Sequence, residues 1–143
     1  MKTKKYQISI PDQEEEELID DELMVHNLRS VPPTQEEPFF KICRCAKDKK
    51  GNVIGGVLAC MVLWHVLHIE SVWVSEDYRG NGIAARLMDE VEKEAVKQGA
   101  YRSVVDTYDF QAKPFYEKCG YQVCGMIEDM PKGHTYYYLT KKL

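Results

Sequence analysis

The stretch VWVSEDYRGNGIAA, Val72 to Ala85, decides how this chain is read. It joins a run rich in β-branched and aromatic residues, Val66 to Ser75, to a segment from Gly82 to Gln98 in which Ile83, Leu87, Val91 and Ala95 recur at helical spacing. The order is therefore strand, glycine-rich turn, long helix, with Gly99 closing the helix. Glycines at 80 and 82 let successive backbone N–H groups approach an anion at a helix N-terminus, and a pyrophosphate suits such a turn. Donors aimed at a charged oxygen contribute roughly 1.5–3 kcal/mol each, so a few of them plus the Arg79 guanidinium could anchor a nucleotide cofactor.

A Gly-x-Gly turn alone is weak evidence. Gly80-x-Gly82-x-x-Ala85 after a strand, with Asp106 near the end of the next one, also passes a superficial dinucleotide-binding test, which keeps a nicotinamide oxidoreductase in play. Dinucleotide folds repeat βαβ units on a parallel sheet, whereas this turn follows an antiparallel run and leaves only Arg86 to Leu143 after it. A P-loop is excluded because no Gly-Lys-Ser or Gly-Lys-Thr follows.

Upstream of the turn, Lys5 to Ile10 alternates as a short strand, and Leu18, Ile19, Leu23, Met24 and Leu28 then mark an amphipathic first helix opened at Pro11-Asp12. The acids Glu14 to Glu17 and Asp20 to Glu22 form a solvated face or attract a cationic amine. Pro32-Pro33 ends the helix, Phe39 to Ala46 reads as a strand, Asp48 to Asn52 as a turn and Val53 to Leu63 as the antiparallel partner. Alternation along Val66 to Ser75 predicts His68, Glu70, Val72 and Val74 on one face, and Ile69, Ser71 and Trp73 on the other. Downstream, Ser103 to Thr107 is a strand, Lys113 to Cys119 a short helix begun near Pro114, and Tyr121 to Ile127 and Thr135 to Lys141 two closing strands.

A chain of 143 residues fits one domain, 1–143, burying roughly two-thirds of its unfolded surface. No apolar run reaches the roughly 18 residues of a membrane span and no signal-peptide pattern opens the chain, so the expectation is a cytoplasmic protein with no membrane partner. The net charge of -4 argues against nucleic acid as a partner. Five cysteines, an odd number, read as reduced thiols; Cys43 and Cys45 lack the second ligand pair zinc needs, so no metal is expected.

VWVSEDYRGNGIA resembles the acyl-CoA signature of the GNAT (Gcn5-related N-acetyltransferase) superfamily, Arg/Gln-x-x-Gly-x-Gly/Ala, with Arg79, Gly82 and Ala84 at its fixed positions. Downstream, FYEKCGY, Phe115 to Tyr121, is similar to the aromatic-Tyr-Glu-Lys-x-Gly-aromatic segment that closes the domain in that superfamily. The resemblance implies an α/β (α+β) fold. Its mixed, mostly antiparallel sheet of about six to seven strands would carry helices on both faces and a splayed V between the two central strands.

It also implies acetyl-CoA as co-substrate, lying in the V with its pantetheine paired to the backbone of Val72 and Val74 and its pyrophosphate on Arg79, Gly80, Asn81, Gly82, Ile83 and Ala84. The activity implied is acyltransfer of the 2.3.1 class, by direct attack of a primary amine on the thioester. An alkyl ammonium with a pKa near 10.4 must first lose a proton. Glu70 matches a base position found in many members, acting directly or through a water, and His68 on the predicted face could extend a relay or simply pack. A backbone N–H near Val74 would meet the developing oxyanion. Tyr116 matches a tyrosine that protonates the departing thiolate. Where many members carry an asparagine seven residues before that tyrosine, this chain has Asp109, which cannot donate as an amide does, so that cofactor contact is not carried over.

The resemblance points first to a small-molecule amine as acceptor, with a protein or peptide amine the nearest relative and a non-catalytic acyl-CoA-binding module the competing class. The acceptor wall it implies comes from the first helix, the following loop and the last hairpin, including Glu36, Glu37, His134 and Tyr136 to Tyr138. The tyrosine-rich YYYLTKKL, Tyr136 to Leu143, also offers a homodimer contact.

Overall fold

The computed structural model describes residues 3–143, and the chain divides into two units at Pro33/Thr34. In the first unit, helix α1 spans Gln13–Ser30. Asp12 and Glu15 close a reciprocal capping box: the Asp12 carboxylate accepts from the Glu15 N–H at 2.9 Å, and the Glu15 carboxylate accepts from the Asp12 N–H at 3.1 Å. None of its residues is buried, and Leu18, Ile19 and Leu23 stay exposed. The expected strand Lys5 to Ile10 does not form. Tyr6, Ile8 and Ile10 alternate as a strand does but lie exposed on a backbone without a ladder, and alternation alone supplies no partner for N–H and C=O groups.

The second unit, Thr34–Leu143, holds seven strands, β1 (Phe39–Lys41), β2 (Arg44–Lys47), β3 (Val53–Val62), β4 (Val66–Val74), β5 (Arg102–Tyr108), β6 (Gln122–Glu128) and β7 (Thr135–Lys142). Helix α2 (Ile83–Lys97) links β4 to β5, and α3 (Lys113–Lys118) links β5 to β6. The sheet runs β1-β3-β4-β5-β7-β6, with β2 also on β3. The predicted strand Phe39 to Ala46 is present as β1 and β2 in one register, Lys41 opposite Cys60 and Arg44 opposite Val57. Every pair is antiparallel except β4 with β5, whose α2 crossover makes a parallel neighbour possible. The result is a mixed, mostly antiparallel sheet flanked by helices.

The apolar stripe of α2, Leu87, Met88, Val91 and Ala95, packs on Val57, Met61, Leu67, Ile69 and Leu139. Tyr116 of α3 and Tyr121 beyond it complete this core, where the Tyr121 hydroxyl meets Ser103 Oγ at 2.7 Å. Glu92 is the one buried acid of α2; burial pushes its carboxyl up, and Lys141 Nζ donates to both of its oxygens, at 2.5 and 3.2 Å. Strand β7, proposed from sequence for a dimer contact, lies between β5 and β6 with Tyr136 and Leu139 buried and Tyr138 exposed.

Two irregularities in β4 position everything that follows. Leu58 pairs with Ser71 while Ala59 pairs with Ile69, so Glu70 is an extra residue, a β-bulge. The ladder to β5 also stops early: Val66, Leu67 and His68 pair with Arg102, Ser103 and Val104, and nothing beyond pairs. A bulged strand bends and twists more strongly than a regular one, which separates β4 from β5 past this point. The sheet therefore opens there as a V.

Candidate active site

The bulge changes which face each β4 residue occupies. Leu67 and Ile69 are buried in the core, and beyond Glu70 the alternation shifts by one, so Val72 packs against that same core. Glu70, Ser71 and Trp73 are exposed, as are His68 and Leu58. The sequence expectation that Glu70 shares a face with Val72 and Val74 is thus corrected. An inserted residue reverses every later side chain, and period-2 counting cannot see it.

The backbone of Val72 and Val74 is where the V needs it. Ser75 N–H donates to the Ile54 carbonyl at 2.7 Å, which makes Val74 and Gly55 a non-hydrogen-bonded pair; Val72 and Val57, two residues back, are another. The N–H and C=O groups of both valines are accordingly turned away from β3 and toward the gap. Arg79 Nε takes the Val74 carbonyl at 3.0 Å, tying the loop to the strand.

Past β4 the chain makes a short 3₁₀ turn at Glu76–Tyr78 and enters the glycine loop. Asn81 Nδ2 donates to the carbonyls of Tyr78 and Arg79, at 3.0 and 3.3 Å, holding the loop's shape. Gly80 and Gly82 sit at φ of +79° and +72°, in the left-handed region, and a Cβ on either would meet nothing within 4 Å. The loop is an open cradle. Gly82 caps α2 without a side-chain acceptor, so the first-turn N–H groups that a cap would satisfy remain free for an anion. Glycines without steric neighbours, an uncapped helix start and an unpaired strand backbone together fit a pyrophosphate followed by an extended, amide-bearing arm.

Tyr116 lies in the core on the α2 and α3 side of the sheet, its ring against Phe115 and Tyr121. Burial, then the charges of Cys119 and Asp106, push its phenol up to about 12, so it is a proton donor at neutral pH. Every sealed polar side-chain atom among the described residues has a partner; the Tyr116 hydroxyl has none, so it must reach open space. Glu70, by contrast, is exposed on the other face, within electrostatic range of His68 and Cys60. Although the residue as a whole is exposed, partial burial of its ring holds the His68 imidazole below its usual range, with Glu70 opposing. A neutral ring there can accept a proton.

Asp109 has a structural occupation. Its carboxylate accepts from Thr135 N–H at 2.8 Å and sits 2.8 Å from His134 Nδ1, clamping the end of β5 to the start of β7. The apex of the V opens into a cavity of about 390 Å³ whose walls include His68, Ile69, Val105, Asp106, Cys124 and Tyr138. Sequence reading weighed Asp106 only as part of a dinucleotide-binding pattern and missed this cavity, although alternation along β5, from buried Ser103 and Val105, would have put Asp106 on the open face. Among the described residues no His, Cys, Asp and Glu cluster could hold a metal, no helix is long and apolar enough to cross a membrane, and Cys43, Cys45, Cys60, Cys119 and Cys124 are free thiols.

Residues 6–121 match the model of the acetyltransferase (GNAT) family. A blasticidin-S acetyltransferase from Streptomyces morookaense is 35% identical over 117 residues, 81% of this chain and 85% of its own. An acetyltransferase from Bacillus cereus has a solved structure with a TM-score of 0.91 and 31% identity, covering 96% of this chain and 98% of that one. A putative streptothricin acetyltransferase from Bacillus anthracis, solved in complex with acetyl coenzyme A, shares the fold at a TM-score of 0.64 and 21% identity, over 76% of this chain and 65% of its own.

Proposed function

This chain belongs to the GNAT family of acetyltransferases and uses acetyl-CoA, and from that premise we propose that it acetylates the primary amine of a small molecule by direct attack. The observation that carries the reading is the break in the β4–β5 ladder beyond His68 and Val104, immediately upstream of the open glycine cradle. Acetyl-CoA supplies the thioester carbonyl that is attacked. Val72 and the Val74 N–H pair with the pantetheine arm as an added strand would, and the loop from Arg79 through Gly80, Asn81, Gly82, Ile83 and Ala84 receives the pyrophosphate.

Glu70 and Tyr116 then divide the proton traffic between the two faces of the sheet. The acceptor ammonium loses one proton to Glu70, directly or through a water, and Glu70 passes it to bulk solvent. As the C–N bond forms and the C–S bond breaks, the N–H proton leaves by the same route, and the sulfur takes one from the Tyr116 phenol, which regains it from water. Attack from the face of Glu70 and departure toward the face of Tyr116 is what a gap through a sheet permits.

The test is release of free CoA thiol from acetyl-CoA with a panel of small amines, blasticidin S among them because a 35% identical relative is named for it, and with a peptide of free N-terminus and lysine. Release that depends on a small amine, with that amine gaining one acetyl group by mass, is the expected result. Release with the peptide alone would contradict the small-molecule reading. Binding of acetyl-CoA with no release across the panel would favour a non-catalytic module.

A further inference from the structure

We propose that Arg79 is a positioning residue for the cofactor: its Nε–H, through the Val74 carbonyl, fixes the point on β4 at which the pantetheine arm begins to pair. This rests on acetyl-CoA lying in the V and is independent of the acceptor. The peptide between Val74 and Ser75 ends β4, and it is held from both sides. Its N–H donates across to the Ile54 carbonyl on β3 at 2.7 Å, and its own carbonyl accepts from Arg79 Nε at 3.0 Å on the side of the gap. With that carbonyl taken, the outermost backbone group of β4 left to face the gap is the Val74 N–H. An extended arm arriving from the glycine loop therefore starts its ladder there and continues to Val72.

The loop side of the same residue is fixed as well. Arg79 N–H donates to the Glu76 carbonyl at 3.3 Å, and the Arg79 carbonyl accepts from Asn81 Nδ2 at 3.3 Å. Arg79 thus joins strand to loop at the corner where the arm meets the pyrophosphate, bridging a 3₁₀ turn, Glu76–Tyr78, that has no side-chain cap of its own. The residue is exposed and no ion pair among the described residues includes it, so no carboxylate draws the guanidinium away from Val74. The bond to Val74 asks for a donor at one atom position and makes no use of charge. Arginine and glutamine both carry an N–H donor on the Cδ of an unbranched stem, and the signature in which Arg79 falls accepts either. Lysine keeps the charge but carries its nitrogen one bond further out.

The test compares Arg79→Gln, which keeps the donor and removes the charge, with Arg79→Lys, which does the reverse, alongside the natural chain. Calorimetry gives the Kd of acetyl-CoA, and residue-resolved amide exchange at saturating acetyl-CoA gives the slowing it confers on β4 and on the loop. Acetyl-CoA is expected to bind Arg79→Gln at least about fivefold more tightly than Arg79→Lys. Val72 and Val74 should be slowed at least about tenfold more in Arg79→Gln than in Arg79→Lys, with Gly82, Ile83 and Ala84 slowed in both. Binding by Arg79→Lys as tight as by Arg79→Gln, or equal slowing of Val72 and Val74 in the two, would overturn the assignment and leave Arg79 as a charge for the pyrophosphate. Acetyl-CoA that binds the natural chain without slowing Val72 or Val74 would instead remove the cofactor from the V, and this inference with it.

Discussion

Tyr116 is the residue whose chemistry is most constrained by its surroundings. A phenol pushed up to about 12 stays protonated through the neutral range, and its hydroxyl has no partner within the protein, so it is free to donate to a departing thiolate. Tyr116→Phe is expected to lower kcat about tenfold or more with acetyl-CoA affinity unchanged; equal turnover in single-turnover assays would end that role. Glu70→Gln keeps the size and removes the carboxylate proposed as the base. Its expected effect is a fall in kcat/KM of about a hundredfold at neutral pH that shrinks as the pH approaches the pKa of the acceptor amine, where free amine no longer has to be made. A deficit constant across pH would point to binding instead. The position of Glu70 was legible in the sequence, but its face was not, because one inserted residue in β4 undoes the alternation and leaves no mark in composition.

At the scale of elements, the loop and the helix after it make a second set of demands. Gly82 holds a left-handed φ of +72° and starts α2 with no side-chain cap, in a cradle where an added Cβ would meet nothing within 4 Å, the space proposed for the pyrophosphate. Gly82→Val should weaken acetyl-CoA at least about tenfold by calorimetry, through strain at that φ and through a blocked approach. An unchanged Kd would separate the loop from the cofactor.

Helix α2 is fastened to β7 by Lys141 and the buried Glu92. Burial raises the folded-state pKa of Glu92 above its unfolded value, and Lys141 opposes that rise. A raised carboxylate pKa means the ionised group costs stability above that pKa and the cost disappears as the pH falls below it. Lys141→Ala deepens the penalty, so it should destabilise the fold by about 2 kcal/mol at pH 7, and by less in acid. Denaturant unfolding at the two pH values measures it, and a deficit that grows in acid would contradict the account. Helix α2 was readable in advance from Ile83, Leu87, Val91 and Ala95, whereas its tether to a strand near the end of the chain depends on a tertiary contact that spacing does not encode.

For the molecule as a whole, the order of strands and helices in residues 34–143 follows from period and punctuation: Asp48 to Asn52 makes the hairpin turn, Gly80 and Gly82 the cradle, Gly99 and Gly120 the helix ends. Alternation in Tyr6, Ile8 and Ile10 misled because a strand exists only where another backbone pairs with it. The V itself came from resemblance, and the structure supplies its physical cause in a bulge and a ladder three pairs long. The central claim is that acetyl-CoA lies in that V, from the backbone of Val72 and Val74 to the start of α2. Amide hydrogen exchange resolved residue by residue, with and without saturating acetyl-CoA, measures it most directly. The account predicts exchange slowed about tenfold or more at Val72, Val74, Gly82, Ile83 and Ala84, with β6 unaffected; bound acetyl-CoA that leaves those five amides exchanging as before would contradict it.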